Sequence, residues 1–140
     1  PLSEKLQHRI SDYTRQGGNL MLSGSYLGSI LPANLAQNTL KFTHGGSMYG
    51  ITTGQVFGAN TTLSFPTQVN EKSYAVPAPD CLLPTAGAYS TFVYTPGNYG
   101  AGIAYKGTDF RTFVLGFPFE SIDNAQHRSR IMKAALDLFK

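Results

Sequence analysis

The sequence predicts a layered α/β domain interrupted by a β-rich insertion. Two observations predict it. Short apolar runs at 19–23 and 112–117 each lie beside a helical pattern, which is how strands covered on both faces read. Between them, across 43–107, Gly, Thr, Tyr and Phe alternate with Pro and Asn, the texture of short antiparallel strands. The 140 residues suit one domain with one core.

The elements follow in order. Residues 3–16 read as a helix with Ser3 as N-cap and Leu6, Ile10 and Tyr13 as its apolar stripe. Gly17 and Gly18 stop it, and Asn19-Leu20-Met21-Leu22-Ser23 is the buried strand that follows. A second helix is expected over 33–42, with Leu35, Leu40 and Phe42 inward. Short strands are expected at 50–57, 61–65, 73–76, 89–94 and 100–106, with turns at Asn98 and Gly107. Thr112–Phe117 is the second apolar strand. The last helix spans 123–139, capped by Asp123, with Ile131, Ala134, Ala135, Leu138 and Phe139 toward the core. A parallel pair of strands is too small to stand alone, and the chain opens on a helix. At least one βα unit is therefore expected upstream of Pro1, which would make the chain an incomplete domain or the C-terminal part of one.

Composition narrows the function classes. Only 14% of residues are charged against 41% hydrophobic, and Gly, Thr, Ser, Asn and Tyr fill the difference. That balance fits a secreted, periplasmic or cell-surface protein. The net charge of +3 comes from scattered bases without interleaved aromatics, so nucleic acid is not an expected partner. Arg128, Arg130 and Lys133 read as the solvated face of the last helix. Cys81 is the one cysteine, which excludes an internal disulfide and a thiolate zinc site; a buried, idle thiol in a turn is the expectation. His8, His44 and His127 share no metal-ligand spacing. Neither metal nor cofactor is expected. No apolar run reaches membrane-spanning length.

The segment Ser23-Gly24-Ser25-Tyr26-Leu27-Gly28-Ser29 carries the most chemistry. It leaves a buried strand where open α/β sheets place ligands, and Gly24-x-Tyr26-x-Gly28 has the form of a nucleophile elbow. Tyr26 occupies the nucleophile position. Phenols ionise near pH ~10 and are poor nucleophiles without activation. Ser23 and Ser25 are alternatives off the elbow position. The bland reading is a turn that Gly24 and Gly28 permit, with serines satisfying backbone groups, and it is preferred. His44, beside Gly45 and Gly46, fits a loop near a site or a hairpin turn with an exposed imidazole; the turn is preferred. Glu120 follows the second apolar strand and is expected at the sheet edge of Ser23 and Tyr26. There it would bind a sugar hydroxyl or, the preferred reading, cap the last helix with Asp123. A glycosidase pair would need a second carboxylate, and Asp80 and Asp109 are the loop candidates. Tyr99, with Tyr49, Phe57, Tyr89, Tyr94 and Tyr105, would bind glycan by stacking if exposed, although cross-strand packing explains Tyr and Phe there as well.

Four segments carry a resemblance. Gly17–Ser29, Tyr74–Asp80, Gly102–Gly107 and Phe113–Ile122 are similar, in order, to segments of large secreted Bacteroidetes proteins labelled xanthan-lyase-like. The pattern of helix, Gly-Gly, strand and tight turn also resembles the class I glutamine amidotransferase-like fold. That resemblance implies a three-layer flavodoxin-like sheet, with a Cys at the elbow and a His-Glu pair after a later strand. Here Tyr26 replaces the Cys, and Gly116-Phe117-Pro118-Phe119-Glu120 brings no His, so amidotransferase chemistry is not implied. Three functions stay open: a non-catalytic accessory or binding module of a secreted multidomain protein tied to polysaccharide or cell-wall processing; a hydrolase- or lyase-associated domain using Ser25, Tyr26, His44 and Glu120; and a structural interdomain module. Expected partners are polysaccharide, neighbouring domains, or a second copy through an open sheet edge.

Overall fold

The computed structural model describes residues 1–51, 53–56, 61–64 and 75–140, with only the backbone course given at 54–56 and 61–64. The elements run α1 (Glu4–Arg15), β1 (Asn19–Ser23), α2 (Leu27–Ile30), α3 (Ala33–Leu35) and a π-helical turn (Ala36–Leu40). They continue β2 (Phe42–Ser47), β3 (Thr53–Val56), β4 (Thr61–Ser64), β5 (Asp80–Pro84), β6 (Ala88–Thr95), β7 (Tyr99–Lys106), β8 (Arg111–Leu115), a 3₁₀ turn (Phe119–Ser121) and α4 (Ala125–Leu138). Among the described residues, no helix is long and apolar enough to cross a membrane.

Among the described residues, six strands form one mixed sheet in the order β1-β8-β7-β6-β3-β4, and β2 pairs with β5 apart from it. β1 and β8 are parallel, with Leu22 beside Val114; the remaining pairings are antiparallel. The chain is thus a small mixed α/β domain. The stretch 43–107 contributes β3, β4, β6 and β7 to the main sheet, and β7 joins them to β8. Residues 73 and 74 of the expected strand 73–76 lie outside the described residues, and Ala75 and Val76 are not in a strand.

Alternation along β8 sorts its side chains into two cores. Phe113 and Leu115 join Met21 and, from α4, Ile131, Ala135 and Leu138. Val114 joins Leu20, Leu22, Leu27, Leu35, Leu40, Phe42 and Leu82. Both faces of β8 are covered, as its unbroken apolar run requires. Each such side chain taken fully out of water contributes about 1.5–3 kcal/mol.

Local chemistry sets the helix ends. Ser3 Oγ accepts the Leu6 N–H at 3.4 Å. At the other end Gly17 takes φ +91°, and the Gly18 and Gly17 N–H groups return to Tyr13 O and Thr14 O, both at 2.9 Å, a Schellman closure that needs a residue tolerant of positive φ. The inward stripe of α1 differs from expectation. Ile10 packs on the core, but Leu6 and Tyr13 are about half exposed and Thr14 is buried. Tyr13 lies along Gly18 and donates its hydroxyl to Asn19 O at 3.1 Å, which holds it at the surface. The cap of α4 is Asn124, not Asp123. Its Oδ1 accepts the N–H groups of Gln126 and His127 at 2.8 and 3.2 Å, because the first helical turn starts one residue later than expected. Ala134 is exposed, since the inward positions run Ile131, Ala135, Leu138.

The expected helix over 33–42 stops at Leu40. The Lys41 N–H reaches back five residues to Ala36 O, and Lys41 itself is left-handed at φ +66°. Phe42, fully buried as expected, already belongs to β2.

Candidate functional site

The carboxyl ends of β1 and β8 lie side by side, and the chain leaves both through glycine. The Gly24 N–H extends the ladder to Leu115 O at 3.2 Å. Tyr26 then adopts φ +60°, ψ +22°, a left-handed conformation for a residue with a Cβ. Leu27 opens α2 immediately after. The strand–turn–helix outline of an elbow is present, with a 42% exposed tyrosine at its apex. Ser29 Oγ donates to Tyr26 O at 2.8 Å. Ser25 Oγ is buried and has no hydrogen-bond partner among the described residues.

His44 and Asp80 meet beneath this turn. The expected hairpin turn at His44 is instead strand β2, bulged between His44 and Gly46 against β5. Asp80 and Cys81 also lie in a strand rather than a turn: Asp80 opens β5 and is fully buried. The difference follows from the Cys81-Leu82 run, which buries as β5 and carries Asp80 with it. Asp80 Oδ1 lies 3.1 Å from His44 Nε2, and Oδ2 accepts the Leu27 N–H. Burial pushes the Asp80 carboxyl above the usual range; the Leu27 N–H, the His44 imidazole and the Gly28 N–H pull the other way. The backbone of Asp80 is fixed as well: its N–H donates to Gly116 O at 2.7 Å, and its carbonyl accepts the Tyr94 hydroxyl at 2.8 Å.

Gly28 gives the imidazole its space, and Gly116 gives the Asp80 backbone its own. A Cβ on Gly28 would fall 2.0 Å from His44 Cγ, and one on Gly116 would fall 2.2 Å from Asp80 O. Gly28 thus does more than permit a turn. A cleft of about 250 Å³ opens beside the imidazole, lined by Gly28, Leu31, Gln37, Phe42, Thr43 and His44 among others.

The remaining candidates gather at the same end of the sheet with different partners. Ser23 Oγ accepts the Phe119 N–H at 3.2 Å and so ties β1 to the 3₁₀ turn carrying Glu120. Glu120 is exposed in that turn, ahead of the Asn124 cap. Tyr99 pairs with the buried Tyr94. Because Gly102 is already opposite Leu115, the last residue of β8, Tyr99 projects beyond the carboxyl end of β8 and is half exposed. Cys81 is buried, which raises its thiol pKa, and a Cβ on Gly45 would meet its Sγ at 2.7 Å. Among the described residues, no three His, Cys, Asp or Glu side chains converge as a metal site.

An imidazole held by a buried carboxylate is half of a general-base unit. The other half, a hydroxyl or thiol aligned on the free ring nitrogen, is not found among the described hydrogen bonds of His44. Sequence reasoning weighed Asp80 only as a loop carboxylate for Glu120. The signal that could have placed it is the apolar Cys81-Leu82-Leu83 run that makes it the first residue of a strand.

No protein-family model matches the chain, and no curated protein matches it. Solved structures do. A polyextremophilic β-galactosidase from the Antarctic haloarchaeon Halorubrum lacusprofundi aligns over 99% of this chain at 17% identity and a TM-score of 0.66. A GH42 β-galactosidase from G. stearothermophilus, solved as a catalytic mutant, aligns over 98% at 13% identity and TM-score 0.62. An exo-β-1,4-mannosidase from Opitutaceae bacterium strain TAV5 aligns over 97% at 8% identity and TM-score 0.61. This chain spans only 20% to 22% of the length of each. At such identities the likeness is one of fold.

Proposed function

We propose that this chain is a non-catalytic accessory or binding module of a larger exported bacterial protein that processes polysaccharide or cell-wall glycan. Its framework is read as a three-layer flavodoxin-like sheet of the glutamine amidotransferase-like kind, in line with the resemblance to secreted Bacteroidetes proteins. One observation carries the reading: the residue at the left-handed apex of the elbow is Tyr26, and no hydroxyl or thiol meets the imidazole among the described hydrogen bonds of His44. A hydrolase would need the hydroxyl of Ser25 or Tyr26 on the His44 imidazole, with Glu120 beside it. The fold likeness to a fifth of several glycoside hydrolase chains supports a place within a larger carbohydrate-active protein.

The test is an assay of the whole chain against aryl glycosides, soluble polysaccharides and peptidoglycan fragments, with affinity electrophoresis in polysaccharide gels alongside. Glycan retardation without turnover is the expected result. Turnover abolished by Tyr26→Phe or His44→Ala would overturn the reading.

A second reading, a structural module joining neighbouring domains or copies, has its own observation. β1 closes one end of the sheet order, with β8 as its strand partner, and an open edge can pair with another chain. Exposed Leu6 and Tyr13 on α1 add apolar surface. Light scattering across a concentration series distinguishes it: a stable oligomer with no glycan retardation would favour the structural role.

A further inference from the structure

Resting on the accessory-module reading, we infer that the cleft beside His44 is a binding site for a single sugar ring, with the imidazole accepting a hydrogen bond from a sugar hydroxyl. Three features carry this. First, Asp80 fixes the imidazole. An ionised carboxylate only accepts hydrogen bonds, so the contact at 3.1 Å places the ring proton on Nε2. On the neutral imidazole Nδ1 is then the acceptor, and no described residue donates to it. A ligand that satisfies it must bring a donor, as a sugar hydroxyl does.

Second, the imidazole is built in. Its ring occupies the volume that any side chain at position 28 would fill, and its carboxylate partner has no exposed surface. A surface histidine needs neither. The side chain nevertheless keeps 32% of its own exposure, so the geometry holds the ring still without sealing it.

Third, the walls are chemically mixed and the volume is small. Gln37 and Thr43 are exposed at the rim and offer an amide and a hydroxyl, while Leu31 and Phe42 close the apolar side. About 250 Å³ lies below the usual span of drug-sized pockets, which favours one ring over an oligosaccharide. The neighbouring wall is the π-helical turn, a deviation that recurs at functional sites.

The experiment is an amide chemical-shift titration of the whole chain with galactose, mannose, glucose and xylose. Perturbations should centre on residues 28, 37, 43 and 44, with a dissociation constant on the order of 1 mM. His44→Ala should weaken binding at least about tenfold, the loss of one oriented hydrogen bond. Gln37→Ala and Thr43→Val, at exposed positions, should each weaken it several-fold and keep the test open if His44→Ala does not fold. Asn38→Ala, at the separate polar cleft bounded by Arg15 and Asp109, should change nothing. Binding that survives His44→Ala but not Asn38→Ala would overturn this site and leave the glycan module standing. No binding of any monosaccharide would overturn the inference, and polysaccharide retardation would then judge the module by itself.

Discussion

Two carboxylates of this chain meet bases under opposite conditions. Asp80 is fully buried and joins His44 across β2 and β5. Asp137 sits on the outer side of α4, where Lys133 Nζ approaches at 2.5 Å and Lys140 Nζ at 3.0 Å. The Asp137 pair has the shorter contact and the smaller consequence, because water solvates the separated charges and salt screens them. The Asp80 pair is longer, but its carboxylate is held by the Leu27 N–H and its own backbone by Gly116 O and the Tyr94 hydroxyl. Distance alone is therefore a poor guide to which pair matters; what decides is what remains unsatisfied when one partner goes.

That contrast can be broken most forcefully at Gly116. Gly116→Ala drives a Cβ into the Asp80 carbonyl, where backbone must shift to admit it, and should cost about 3 kcal/mol or more in urea unfolding. Asp80→Ala comes next. It strips the Leu27 N–H of its acceptor and the imidazole of its partner, at about 2–3 kcal/mol; a loss no greater than that of a surface mutant would sink the contrast.

Asp80→Asn sharpens the same point through pH. Burial raises the folded-state pKa of Asp80 above the unfolded value, so its contribution is fullest below the ordinary carboxylate pKa of about 3.9 and declines as pH rises through the folded value. Subtracting the Asp80→Asn stability from the wild-type stability should leave a difference that falls with rising pH across that window. A difference that rose would mean the carboxylate is stabilised, not penalised, by its site. Tyr26→Gly should stabilise by about 0.5–1 kcal/mol, relief of the left-handed backbone outweighing the added freedom of glycine in the unfolded chain; it should leave His44 resonances in place. The smallest effect is expected of Asp137→Asn, whose melting temperature in physiological salt should match the wild type.

The elements that are legible in the sequence are those specified locally. Gly17-Gly18 announces the end of α1, and the apolar runs announce β1 and β8. Gly24-x-Tyr26-x-Gly28 announces a strained turn, and Tyr26 is left-handed there. The site was not legible in the same way. His44 and Asp80 are 36 residues apart and meet only through a ladder that pairs Ser47 with Asp80 and His44 with Leu82. Two glycines beside His44 mimic a hairpin turn, whereas they serve a bulge and leave room for Cys81. The exposed flank of α1 is hidden from the sequence for a related reason: periodicity marks Leu6 and Tyr13 as apolar but not that Tyr13 covers Gly18 from outside.

The wide turn at Ala36–Leu40 has a consequence for how this chain tolerates change in length. Its bond from Lys41 to Ala36 takes in one residue more than an α-helical bond would, and that residue sets the phase of everything up to the bulge. Excising any one of the five would tighten the coil and advance the following strand by a single step, exchanging its inner and outer sides. Phe42 would be turned to solvent and the imidazole carried off its acid. The surplus residue works as a spacer whose value is parity, so a one-residue gap there should be far more damaging than most substitutions in the same stretch.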